Sequence, residues 1–132
     1  MHGPPLEFKL KEGVKPFAIY TPAKVPAHWC EKVEADIKRD VALGVLEEVP
    51  ENTGMTWCHR MVICRKHNGD PRRTIDLHPL NDASIRQFHA TQPPLEQAHT
   101  VPHNQKKSVL DCWNGYHSVA IREEDRHLTT SS

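Results

Sequence analysis

Residues 57–77 read WCHRMVICRKHNGDPRRTIDL, and this stretch decides the fold. Trp57 to Arg65 is rich in β-formers, Arg72 to Leu77 alternates, and His67-Asn68-Gly69-Asp70 lies between them. Asn-Gly between two such runs marks a β-hairpin, because both residues tolerate the positive φ that a tight turn requires. The roots of the turn are basic: Arg65 and Lys66 lead into it, and Arg72 and Arg73 lead out. With Arg60 they stand against a single acid, Asp70, and a local basic patch of this kind can attract phosphate even on a neutral protein. The commoner meaning of such a run is a solvated charged hairpin.

Upstream of the hairpin the periodicity changes. Pro26 suits the first turn of a helix, and Trp29, Val33, Ile37 and Val41 recur every four residues along one face. That stripe predicts core packing. Glu34 and Lys38 are spaced to pair on the outer face, and Gly44 sits where a helix stops. Val45 to Val49 reads as a short extended stretch closed by Pro50. Residues 1–20 read as a proline-rich connector, with Phe17-Ala18-Ile19-Tyr20 as a candidate edge strand.

Downstream, Pro79, Pro93, Pro94 and Pro102 predict an irregular course from His78 to Gln105. Ser108-Val109-Leu110-Asp111-Cys112-Trp113 reads as a buried strand ending in an acid. Asn114-Gly115 then turns the chain, and Tyr116 to Arg122 leads towards Glu123-Glu124-Asp125. The fold class expected is α+β: one main N-terminal helix, a β-hairpin and an incomplete antiparallel sheet.

Composition narrows the function classes. A chain of 132 residues with 37% apolar residues, 6% aromatics and eleven prolines is one domain and not a long helical bundle. Seventeen basic and seventeen acidic residues cancel, so only the local charge distribution is informative. No apolar run approaches membrane-spanning length and the amino terminus lacks the apolar core of a secretory signal, so the expected location is intracellular, cytoplasmic or nuclear, with no membrane partner. Cys30, Cys58, Cys64 and Cys112 form no CxxC pair and read as packed thiols. Ten histidines invite a metal-binding reading. Against zinc, Cys58 and Cys64 on one strand would lie about 20 Å apart, beyond the reach of a single ion.

Chemistry concentrates at Asp111. A carboxylate closing an apolar strand is partly desolvated and needs a partner, a cation or several backbone N–H groups. Mg²⁺, which prefers one or two carboxylates plus substrate phosphates, is one such partner. An aspartate capping the turn at Asn114-Gly115 is the structural alternative. The basic hairpin favours the metal, because a metal-bound carboxylate opposite Arg and Lys groups is what phosphoryl transfer needs.

Taken in order, these elements resemble a known family. Leu43-Gly44-Val45-Leu46, then Arg65-Lys66-His67-Asn68-Gly69, Arg72-Arg73-Thr74-Ile75-Asp76 with Leu80-Asn81, and finally Leu110-Asp111-Cys112-Trp113-Asn114-Gly115-Tyr116 follow one another. The pattern G-[IV]-[IL], then [KR]-K-x-[ND]-G-x-x-R-x-x-x-D-x-x-x-L-N, then [LF]-D-x-x-x-[GA]-[YF] is similar to the fingers and first palm segment of reverse transcriptases of gypsy-like LTR retrotransposons. Each piece alone is a weak signal; the joint order and spacing over about residues 21–130 are specific.

The resemblance implies a truncated reverse transcriptase domain over residues 21–132. Asp111 would be the first metal-binding catalytic aspartate, with the backbone carbonyl of Cys112 beside it on Mg²⁺. Arg72 would lie on the incoming deoxynucleotide, and Lys66 or its neighbour Arg65 on the terminal phosphate. Asn114 and Gly115 would offer backbone N–H groups to the triphosphate. Tyr116 would act as the steric gate against ribonucleotides, and Asp76 and Asn81 would be mainly structural. The implied partners are an RNA or DNA template-primer, the deoxynucleotide and the remainder of the polymerase.

Departures limit what carries over. The family commonly has an arginine two residues after the aspartate that Asp76 matches; here His78 stands there, followed by Pro79. Where the family continues with phenylalanine after the position of Thr130, this chain ends Ser131-Ser132, without the Tyr-x-Asp-Asp turn. The expectation is therefore a polymerase fragment that is inactive alone. The alternatives are a nucleic-acid- or subunit-binding module derived from the fingers, and a small metal-binding protein.

Overall fold

The computed structural model describes residues 3–113 and 115–132. Pro26 ends the extended lead, a 3-10 turn at Ala27–Trp29 follows, and helix α1 runs over Cys30–Ala42. The predicted stripe faces inward, with Val33 buried and Trp29, Ile37 and Val41 half-buried. Lys38 Nζ meets Glu34 Oε1 at 2.6 Å on the outer face, as the spacing required. Gly44, at φ 70°, ends the helix. Its N–H donates to the Val41 carbonyl at 3.0 Å, and the Val45 N–H donates to the Asp40 carbonyl at 2.9 Å, the pairing of a Schellman stop.

The hairpin forms from β1 (Met61–Arg65) and β2 (Pro71–Ile75), antiparallel, with Met61 opposite Ile75 and Cys64 opposite Arg72. Its loop spans Lys66 to Asp70: the Lys66 N–H donates to the Asp70 carbonyl at 2.7 Å, and Gly69 takes φ 90°. Both arms are shorter than the sequence suggested. Trp57, Cys58 and His59, expected within the first arm, are buried and bond elsewhere. Cys58 bridges Ala18 and His59 bridges Ser131, each in parallel, so the two ends of the chain take the hydrogen bonds that a longer hairpin would have used.

The amino-terminal segment expected as a connector closes the core. The Leu6 N–H donates to Ala120, Lys11 to Ala83, Ile85 to Lys9 and Ile19 to Cys58, all at 2.7–2.9 Å between backbone groups. Phe8, Leu10, Val14 and Phe17 pack on a small core of Trp57, Leu80, Ala83 and Leu128. Leu80 and Ala83 come from α2 (His78–Ala83), and Leu128 from a run of 3-10 turns at Glu123–Thr129. His59 lies beside this core, its ring 5.9 Å from that of Trp57 and 6.2 Å from that of Phe17. Its Nε2 is 2.9 Å from the Leu128 carbonyl. A carbonyl only accepts, so Nε2 carries the proton.

Two expectations for the second half need correction. The region from His78 to Gln105 is not wholly irregular: α2 and α3 (Pro94–His99) each span six residues, with proline in the first turn, where its missing N–H costs no hydrogen bond. The buried strand expected at Ser108–Trp113 is absent. Its described residues are irregular and exposed, with Val109 at 96%, Leu110 at 93% and Trp113 at 83%. Among the described residues no strand runs beside this segment, and a strand without a ladder leaves its backbone groups to water. The only sheet described is therefore the hairpin itself. Cys58 is the one buried cysteine; Cys30, Cys64 and Cys112 are exposed, and all four are free.

Candidate functional site

A hairpin alone is marginal in water, so its basic face can be presented in a fixed direction only if something anchors it. The anchor is polar. Asp40 sits seven residues after Val33 and three after Ile37, on the inward face of α1, and is buried. A buried carboxylate needs a cation, and Arg73 of β2 donates through Nη2 to Asp40 Oδ2. Arg39 adds a contact from Nη2 to Asp40 Oδ1 at 3.1 Å. At the other end of the joint, Lys32 Nζ of α1 meets Asp70 Oδ1 of the loop at 2.6 Å. Hairpin and helix are thus clasped at two points.

With Arg73 and Asp70 committed, the outward charge of the hairpin reduces to Arg60, Arg65, Lys66 and Arg72, all exposed. Arg72 stands opposite Cys64 on the exposed side of the ladder. Arg65 folds over the turn, its Nη2 3.7 Å from where a β-carbon at Gly69 would be. Lys66 instead lines the cleft between the loop and α1, together with Lys32 and Asp36. The hairpin cations are therefore close in the chain but directed differently.

The second half of the expected site falls on exposed, irregular chain. Asp111 and Cys112 are exposed, within the irregular segment. Gly115 begins a 3-10 turn, Gly115–Ser118, and lies tight against Cys112: a β-carbon there would fall 3.1 Å from the Cys112 β-carbon. Tyr116 is 97% exposed among the described residues. Asn114 lies outside the described residues. Among those described, no three His, Cys, Asp or Glu side chains gather to hold a metal ion. The donor set present, one exposed carboxylate, does not fit a two-metal centre, which needs several carboxylates around ions about 4 Å apart.

Sequence reasoning missed Lys32, Asp40 and Asp70 as working residues. Asp40 was detectable as a carboxylate on the apolar stripe, which demands a partner. Nothing in the sequence pairs Lys32 with Asp70, 38 residues away. Asp76 accepts the His78 N–H at 3.1 Å, and Asn81 lies on α2, so both sit at the corner that leaves the hairpin. Among the described residues, no helix is long and apolar enough to cross a membrane. No protein-family model matches this chain, and no curated protein matches it.

Proposed function

We propose that this chain is the fingers and first palm segment of a reverse transcriptase of the gypsy-like retrotransposon type, and that alone it binds nucleic-acid or nucleotide phosphate without transferring nucleotides. The motif order supports the family reading. The observation that carries the binding role is the clasped hairpin: Arg73 is spent on Asp40, which leaves Arg65, Lys66 and Arg72 exposed on an anchored support. Fixed cations lose less freedom on meeting a phosphate than cations on a loose loop.

In this reading Arg72 offers the planar fork suited to two phosphate oxygens, while Lys66 acts as a point charge. Mg²⁺ belongs to the complete polymerase; Asp111 alone does not assemble its site, and no chemical step is assigned to this chain. A second reading, a subunit-binding module, draws on the exposed Val109, Leu110, Trp113 and Tyr116, an apolar run that a further part of a polymerase would cover.

Anisotropy of a labelled RNA–DNA primer-template, titrated across salt concentrations, tests the proposal. Binding should weaken steeply as salt rises, and Arg72→Ala should lower the slope of log K against log salt by about 1. No primer extension should occur with Mg²⁺ or Mn²⁺. Salt-independent binding, or extension that disappears in Asp111→Ala, overturns it.

A further inference from the structure

Asn68-Gly69 closes the hairpin, and the residue type that makes the turn also leaves it open to chemistry. Gly69 sits at φ 90°, a left-handed conformation that glycine takes without strain. With no side chain to shield it, the Gly69 nitrogen is accessible to the carboxamide of Asn68. Asn68 is exposed, and its Oδ1 accepts the Asp70 N–H at 3.1 Å, which draws electrons away from Cγ. The Gly69 N–H donates to the Lys66 carbonyl at 2.9 Å, a bond confined to the turn and so among the first to open. Arg65 lies over the same peptide unit, with Nη2 3.7 Å and Nε 4.0 Å from where a β-carbon at Gly69 would be. Arg65 joins none of the ion pairs among the described residues.

We propose that Asn68 is a self-modification site: Gly69 displaces its amide nitrogen, Arg65 speeds the step, and the acid that results weakens phosphate binding by the hairpin. The Gly69 nitrogen gives its proton to solvent base and bonds to Asn68 Cγ. The Cγ–Nδ2 bond then breaks, and ammonia leaves with a proton from water, which closes a five-membered imide. Water opens the ring at either carbonyl, leaving aspartate or isoaspartate. The guanidinium of Arg65 favours the nitrogen anion through which the attack passes. In aspartate, the Nδ2 donor that now lies 2.9 Å from Asp70 Oδ2 is replaced by an acceptor facing an acceptor. The new carboxylate turns from Asp70 towards the Arg65 guanidinium and answers its charge. Isoaspartate lengthens the backbone by one atom inside the turn that the Lys66 N–H and the Asp70 carbonyl close at 2.7 Å. The effect on binding deepens the function proposed above and rests on the hairpin cations meeting phosphate; the chemistry at Asn68 does not rest on it.

Peptide mapping by mass spectrometry, after the folded chain is held at neutral and at mildly alkaline pH, follows the conversion and separates Asn68 from Asn114, the other asparagine that precedes glycine. Asn68 should convert, and faster at the higher pH. Arg65→Ala should slow it about threefold, the scale of one exposed charge interaction, and Arg65→Lys should keep most of the rate. Added salt should narrow the gap between the parent and Arg65→Ala, and urea should abolish it. An amide that survives at Asn68 in the folded chain but not in urea overturns the proposal, as do equal rates in the parent and Arg65→Ala. A gap that persists in urea removes Arg65 as an agent of the folded turn. Asn68→Asp should weaken binding of the RNA–DNA primer-template about threefold, and Gln87→Glu, the same change of charge at an exposed residue outside the hairpin, should weaken it less. Equal weakening would reduce the effect to net charge and overturn the regulatory part. Conversion at Asn68 in a chain that binds no primer-template would keep the modification site and remove the binding function; binding without conversion would do the opposite.

Discussion

Arg73 on β2 and Asp40 on α1 form an ion pair that is mostly shielded from water, with 17% and 8% of their side chains exposed. The pair fastens the hairpin to the helix, and neither residue belongs to the apolar cluster of Trp57, Leu80, Ala83 and Leu128. Its family of contacts explains which cations of the hairpin remain free for a ligand.

Breaking the pair from one side should be expensive. Arg73→Ala strands the Asp40 carboxylate, and the expected loss is about 3 kcal/mol, the low end for a broken buried pair because Arg39 still contacts Asp40. Replacing both partners with apolar residues, Asp40→Leu with Arg73→Met, should recover most of that loss. Urea unfolding of the two single variants and the double variant measures it. Additive losses would show that the two residues do not act as a pair.

Acid should loosen the junction of the two chain ends before it affects the core. Asp125 accepts the Phe8 N–H at 2.9 Å and pairs with Arg122 Nη2 at 3.2 Å. Its pKa is lowered from the ordinary 3.8, first by the Phe8 hydrogen bond and then by Arg122, against the opposing effect of desolvation. A folded value below the unfolded one means that the stabilisation is fully present above pH 3.8 and lost as pH falls through the lowered value. In Asp125→Asn the acid limb of the stability curve should be flatter. An unchanged limb would assign the acid sensitivity to other carboxylates.

Core truncations should rank by burial. Leu80 is fully buried, and Leu80→Ala should cost about 3 kcal/mol. Phe17 is half-buried on the amino-terminal segment, and Phe17→Ala should cost about 2 kcal/mol. A Phe17→Ala variant as stable as the parent would return residues 6–19 to the status of a loose connector.

Hydrogen exchange should divide the chain. Amides of β1, β2 and α1 should be protected, while those of Val109 to Trp113 should exchange at nearly the rate of unfolded chain, because nothing in the described structure bonds them. Protection of Val109 to Trp113 equal to that of the hairpin would show a strand there after all.

The local elements follow from residues only a few positions apart. Val33, Ile37 and Val41 specify α1 through their spacing, Gly44 ends it, and Asn68-Gly69 turns the hairpin, because each depends on backbone preferences within a few residues. The sequence also supplied the cations, Arg65, Lys66 and Arg72, but not their directions. Tertiary structure decided the rest. Trp57 to His59 left the hairpin for partners at Ala18 and Ser131, more than thirty positions away. Strand alternation sends Arg73 and its neighbour Arg72 to opposite faces of the hairpin, and on the helix side Arg73 meets Asp40. The segment around Asp111 has strand composition without a strand. Composition sets what a segment can bury, but only a neighbouring strand can satisfy its backbone, and a neighbour is a property of the whole fold.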